Sequence, residues 1–109
     1  MPSREERVAG NEAGAREINE GIEDAHAGAP ADRYLRVVCE CGRDDCERVI
    51  AITMPEYEQV RRDPAQFAVA RDHVIADLER VIDQTDRFVV VAKREGKARE
   101  VASEEDPRS

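Results

Sequence analysis

Cys39-Glu40-Cys41-Gly42-Arg43-Asp44-Asp45-Cys46 gathers all three cysteines of a 109-residue chain into eight positions. An odd number of thiols this close together fits a disulfide framework badly, whereas three thiolates and one distant ligand complete the tetrahedral shell of a zinc ion. Side chains alternate along an extended chain, so a one-residue gap puts Cys39 and Cys41 on the same face. Gly42 then permits the tight turn that brings Cys46 back to them. The fourth ligand has to come from elsewhere. Of the two histidines, His73 follows a predicted strand and is the preferred ligand; His26 lies near a linker and is the alternative, and an acidic residue is a third option. Arg36, Arg43 and Arg48 are near enough in sequence to offset the charge of three thiolates, and amides beside them can donate to sulfur. A saturated site of this kind has no open position for substrate or water, so its expected role is structural.

Size and charge explain why such a site would be needed. A chain of 109 residues has room for one domain, and with 40% hydrophobic, 4% aromatic and 39% charged residues its core must be modest. A metal that binds only the folded chain would contribute a useful share of its stability. The net charge is −8, with the two ends acidic and the middle nearly neutral. Scattered arginines such as Arg61, Arg62 and Arg71 form neither a basic stripe nor an aromatic stacking platform, which argues against nucleic-acid binding. The polar start of the chain and the lack of a long apolar run predict neither a signal peptide nor a membrane span. The expected compartment is the cytoplasm, where reducing conditions favour metal ligation over disulfides.

Three regions are predicted. Residues 1–32 form a helical arm and linker: Val8, Asn11, Ala15, Ile18, Ile22 and Ala25 recur at helical spacing as a narrow seam, and the pattern stops at His26-Ala27-Gly28-Ala29-Pro30. So polar a helix needs a surface to lie on: its own domain, a second copy paired as a coiled coil with Asn11 setting the register, or a protein partner. Residues 33–97 form a zinc-binding α+β domain of short antiparallel strands and short helices. Tyr34-Leu35-Arg36-Val37-Val38 and Arg48-Val49-Ile50-Ala51-Ile52-Thr53 read as two strands around the cysteine turn. Thr53-Met54-Pro55-Glu56 has the form of a capping box opening a helix that buries Tyr57 and Val60. Phe67 to Ala70 and Arg87 to Lys93 read as further strands. Between them, residues 74–84 place Val74, Ile75, Leu78, Val81 and Ile82 on one helical face with Asp72 as a cap; the competing reading is a hairpin through Thr85-Asp86. Residues 98–109 are polar and acidic and predict a disordered tail.

The cysteine segment resembles the C-x-C-G-x-x-x-C post-SET motif that follows the catalytic domain of SET-type lysine methyltransferases. That likeness covers eight residues and implies zinc with a fourth ligand from a distant part of the chain. The chain is too short for a SET domain and lacks the asparagine-histidine pair, so methyltransferase activity is not implied. It is also similar to the SWIM zinc motif, but Arg48 stands where that motif has histidine. Over most of its length the chain resembles small, acidic, uncharacterised actinobacterial proteins with the same knuckle and a later histidine, which supports His73 and implies no activity. The reading that follows is a non-catalytic zinc-binding module acting through protein interaction or regulation, with its N-terminal helix meeting a protein partner or a second copy. A thiol-based redox or metal sensor and a small zinc-dependent enzyme with water as fourth ligand are the alternatives.

Overall fold

A computed structural model describes residues 3–108, with Lys97 and Ala98 described by backbone alone. The fold is α+β: helix α1 (Arg4–Ala25), strands β1 (Tyr34–Val38) and β2 (Val49–Thr53), helix α2 (Met54–Val60), strands β3 (Gln66–Val69), β4 (Glu79–Gln84) and β5 (Val89–Lys93), and helix α3 (Lys97–Glu104). β1 and β2 pair antiparallel from Tyr34–Thr53 to Val38–Val49, so the hairpin hands the chain directly to the cysteine turn at its tip. The other sheet is antiparallel in the order β3-β5-β4. Its central strand, Val-Val-Val-Ala-Lys, is buried along its whole length, as β-branched residues flanked by a partner on each side allow.

The capping box at α2 forms as its sequence implies. Thr53 accepts from the Glu56 amide at 3.3 Å, the Glu56 carboxylate accepts from the Thr53 amide at 2.9 Å, and Tyr57 and Val60 are buried. Arg87 then grips the same carboxylate from the far side of the fold at 2.7 Å.

Residues 74–84 are not a helix. Ile75 is buried in a loop, and the chain enters β4 at Glu79, leaving Val81 and Ile82 half exposed at a sheet edge. The helical spacing lost because β5 needs a second partner, and Thr85-Asp86 supplies the turn that brings β4 back onto it. Asp72 does not cap a helix; it pairs with Arg48 at 3.2 Å. The acidic end of the chain also differs from the expected disorder. α3 runs to Glu104, Ala102 is buried, Asp106 pairs with Arg61, and Arg108 bonds Glu20, Glu23 and Glu58. Its few apolar atoms are supplemented by ion pairs, the buried Arg61 taking Asp106 of the tail and Arg108 of the tail taking acids of α1 and α2.

α1 does lie on its own domain, with the buried face rotated from the expected seam: Val8 is common to both, Asn11 and Ile22 touch the domain at the margin, and Ile18 and Ala25 face outward. Ser3 caps it, and its buried residues are Val8, Ala9, Glu12, Arg16, Asn19 and Glu23, while Ile18 is 56% exposed. This face is polar because the surface beneath it offers carbonyls, the Glu40 carboxylate and the Lys93 ammonium beside the Phe67 ring. Arg16 stacks 3.9 Å above the Phe67 ring and donates to the carbonyls of Pro64, Gln66 and Ala102 at 2.7 to 3.3 Å. Glu12 meets Lys93, which also bonds Glu79 at 2.7 Å, and all three side chains are buried. Buried charges are retained when they are paired in this way.

Candidate metal centre

The cysteine turn begins where the β1-β2 ladder ends. The Cys39 amide donates to Arg48 O at 2.9 Å, closing the neck of the loop, and Gly42 takes φ +78° to reverse it. On the other side, the β3 strand runs out at Val69 into a turn in which the His73 amide donates to Ala70 O at 2.9 Å. That turn presents the imidazole to the sulfurs. One ligand atom from each of Cys39, Cys41, Cys46 and His73 lies within 4.8 Å of every other. His73 Nδ1 is 3.3 Å from Cys46 Sγ and 3.7 Å from Cys39 Sγ.

These separations suit a tetrahedral ion. Zinc–sulfur bonds of about 2.3 Å place adjacent donors roughly 3.8 Å apart. The imidazole presents Nδ1 to the sulfurs, the nitrogen through which it could ligate, while Nε2 lies 3.9 Å from the exposed Asp72 carboxylate. The four residues brought together are those named from sequence, and they can hold a metal ion. His26 is elsewhere: its Nδ1 lies 2.8 Å from Ile22 O at the end of α1.

Backbone amides at this place oppose the rise that burial imposes on the thiols. The Ala70 amide donates to Cys39 Sγ at 3.1 Å. A hydrogen bond from Cys39 brings the Cys41 thiol down to about 5 against the opposing effect of burial, with the Arg43 amide helping. The same bond pushes Cys39 up, and burial adds to it. Burial also pushes Cys46 up, while the Arg48 amide opposes the rise. As free thiols the cluster thus shares its charge, concentrated on Cys41; an ion that takes three thiolates displaces the remaining protons. The amides beside Arg43 and Arg48 act as expected, through backbone rather than through their guanidinium groups. Cys41 is fully buried, Cys39 nearly so, and Cys46 is partly exposed.

Residues that sequence reasoning missed surround the centre. Glu40, between two ligands, points away from the sulfurs because neighbouring side chains alternate, and it is wholly buried. Its amide donates to Ala68 O at 2.9 Å while Oε1 accepts from the Ala68 amide at 3.0 Å, which clamps the turn onto β3. Oε2 accepts from Tyr57 Oη and Asn19 Nδ2, each at 2.9 Å. Burial raises the Glu40 pKa, and those donors oppose the rise. Burial and the nearby Glu40 charge both raise Tyr57, keeping it a donor. Asn19 completes the set by exchanging two 2.8 Å hydrogen bonds with the Val38 backbone. The only signal for Glu40 in the sequence was its position in C-x-C. Asn19 gave none, since an asparagine on a helix reads as a surface residue.

Beside the knuckle lies an open groove of about 700 Å³, walled by the first turns of α1, by residues 42–45 and by residues 74–77. Its charged lining is mixed, Arg4, Arg7 and Arg43 against Asp44, Asp45 and Asp77, with Arg4 bonded to Asp77 at 2.7 Å. No helix among the described residues is long and apolar enough to cross a membrane. No family model, curated protein or solved structure matches the chain.

Proposed function

We propose that this protein is a non-catalytic zinc-binding module in which Cys39, Cys41, Cys46 and His73 form a closed structural site, and that it works through contacts with other proteins. The observation that carries this reading is the convergence of three sulfurs and His73 Nδ1 within 4.8 Å, at distances that suit tetrahedral zinc. Three soft thiolates with one imidazole favour zinc over the hard cations, which take oxygen ligands. Four protein donors leave no coordination position for a substrate, which supports a structural role over a hydrolytic one. The half-exposed apolar side chains of Tyr34, Val49, Val81 and Ile82 at strand ends and edges are the surfaces such contacts would use.

Metal analysis and cobalt substitution test the site. One equivalent of metal and a four-coordinate thiolate spectrum are expected, with the spectrum shifted and the affinity reduced by at least about tenfold in His73→Ala. A five-coordinate spectrum, or one that His73→Ala leaves unchanged, would refute the closed site.

A second reading has its own observation. The hydrogen bond from Cys39 holds Cys41 below the ordinary thiol range, and Cys41 lies beside the partly exposed Cys46. A thiol sensor would release zinc as two of these thiolates join in a disulfide, their two electrons reducing peroxide to water. Zinc retained under low peroxide would rule that reading out.

A further inference from the structure

We infer that metal binding and the seating of the first turns of α1 are one linked equilibrium, so that the N-terminal part of this helix is what the metal site controls. The inference rests on the reading of the cluster as a metal site. Its basis is the alternation of the knuckle strand. Cys39 and Cys41 face the metal, while the residues between and beside them face α1. Val38 exchanges both backbone hydrogen bonds with Asn19, and Glu40 accepts from the same amide group. Gly42 O accepts from Asn11 Nδ2 at 2.9 Å, and Asp44 Oδ1 accepts from it at 2.7 Å. Gly42 is also the point of closest approach: a Cβ there would stand 2.7 Å from Val8 O and 2.8 Å from Glu12 Cγ. The backbone whose sulfurs gather the ion is therefore the backbone that α1 reads.

The two halves of the helix are held differently. From Glu12 onward, α1 meets the knuckle through Asn19 and keeps anchors outside it: the Lys93 pair, and Arg16 on the carbonyls of Pro64, Gln66 and Ala102. Before Glu12, Val8 and Asn11 rest on residues 42–44, and Arg4 reaches Asp77 with both partners largely exposed. Without an ion nothing ties the three sulfurs to one another and to His73, and the turn is free to spread. Its Gly42 and Asp44 groups then leave Asn11, and the first turns lose their seat while Arg16 holds the rest. Linkage makes the effect reciprocal, so weakening the seat must weaken metal binding by the same factor.

Hydrogen exchange on the full chain, zinc-saturated against chelator-treated, tests the idea. Amides of residues 4–12 should exchange about tenfold faster without metal, while those of β5 change by less than about twofold. Equal protection of residues 4–12 in the two states would overturn the inference. So would equal loss in both segments, which is global unfolding. Asn11→Ala removes two hydrogen bonds at an exposed position, and chelator competition should show about five- to twentyfold weaker zinc binding, with Ile18→Ala on the outer face unchanged. Wild-type affinity in Asn11→Ala would also overturn it. Failure to bind cobalt at all would remove the metal reading itself, whereas a normal cobalt spectrum with an indifferent α1 would remove only this inference.

Discussion

Replacing Gly42 with alanine should destabilise the protein about two to three times as much as replacing Gly28 with alanine, and the comparison isolates the seat of α1. Both glycines occupy left-handed backbone, φ +78° and +88°, where an alanine costs ~1–2 kcal/mol for its Cβ alone. At Gly28 that is the whole cost, since a Cβ there meets no heavy atom within 4 Å. At Gly42 the Cβ would lie 2.7 Å from both Val8 Cγ1 and Val8 O. A methyl can rotate away, but the carbonyl belongs to the helix ladder and yields only if α1 shifts. Overpacking of this kind adds ~1–3 kcal/mol, for a total of ~2–5 kcal/mol. At about 4 °C per kcal/mol for a domain of this size, Tm should fall by ~4–8 °C for Gly28→Ala and by ~8–20 °C for Gly42→Ala. Far-UV circular dichroism melts at saturating zinc, with urea midpoints at 25 °C, provide the measurement. Equal losses in the two variants would refute the close approach of α1 to the knuckle.

Other expectations follow from charges the fold has buried or paired. The Arg87 guanidinium brings Glu56 down to about 2 from an ordinary 4.5, so this pair contributes stability above pH ~4.5 that is lost as pH falls toward 2. Both side chains remain partly exposed and screened, so the contribution is on the order of 1 kcal/mol, and Arg87→Ala should flatten acid denaturation in that window alone. Lys93→Met leaves Glu12 and Glu79 buried without their cation and should cost ~3–5 kcal/mol by urea unfolding; adding Glu12→Gln and Glu79→Gln should restore most of it. Deleting residues 97–109 removes the Ala102 carbonyl from Arg16 and Asp106 from Arg61, and should lower stability by about 2 kcal/mol or more. An unchanged urea midpoint would show the tail to be dispensable.

What could be read from the sequence was local. The β1-β2 hairpin, the α2 capping box and the C-x-C turn are each set by residues within a few positions of one another, and they appear where the pattern put them. The grouping of three cysteines with a histidine was legible because thiol chemistry admits few alternatives, and two histidines left a short choice for the fourth member. Residues 74–84 misled because Val74, Ile75, Leu78, Val81 and Ile82 fit a helical period, yet their destiny depended on β5, a strand that lies beyond the next turn. The α1 seam misled for a related reason. Apolar spacing identifies a buried face only when the surface beneath is apolar, and here that surface offers carbonyls and charges to Arg16, Asn19 and Glu12. The tail looked unable to order itself, as it would be alone; Arg61 and Glu20 supply the partners that Asp106 and Arg108 need.

The amino-acid sequence by itself determined that three thiols would sit on one turn between two strands, because pleat alternation and a glycine are properties of a few consecutive residues. It also determined that so charged a chain would need more than an apolar core. Tertiary structure alone decided that His73 would face those sulfurs through Nδ1, that Glu40 would turn inward to clamp Ala68, and that α1 would press its polar face on the same turn. Those outcomes depend on the relative placement of elements 20 to 40 residues apart. The apolar cluster shared by both sheets, α2 and α3, together with the hydrogen bonds and ion pairs around it, sets that placement, and one-dimensional periodicity carries no record of it.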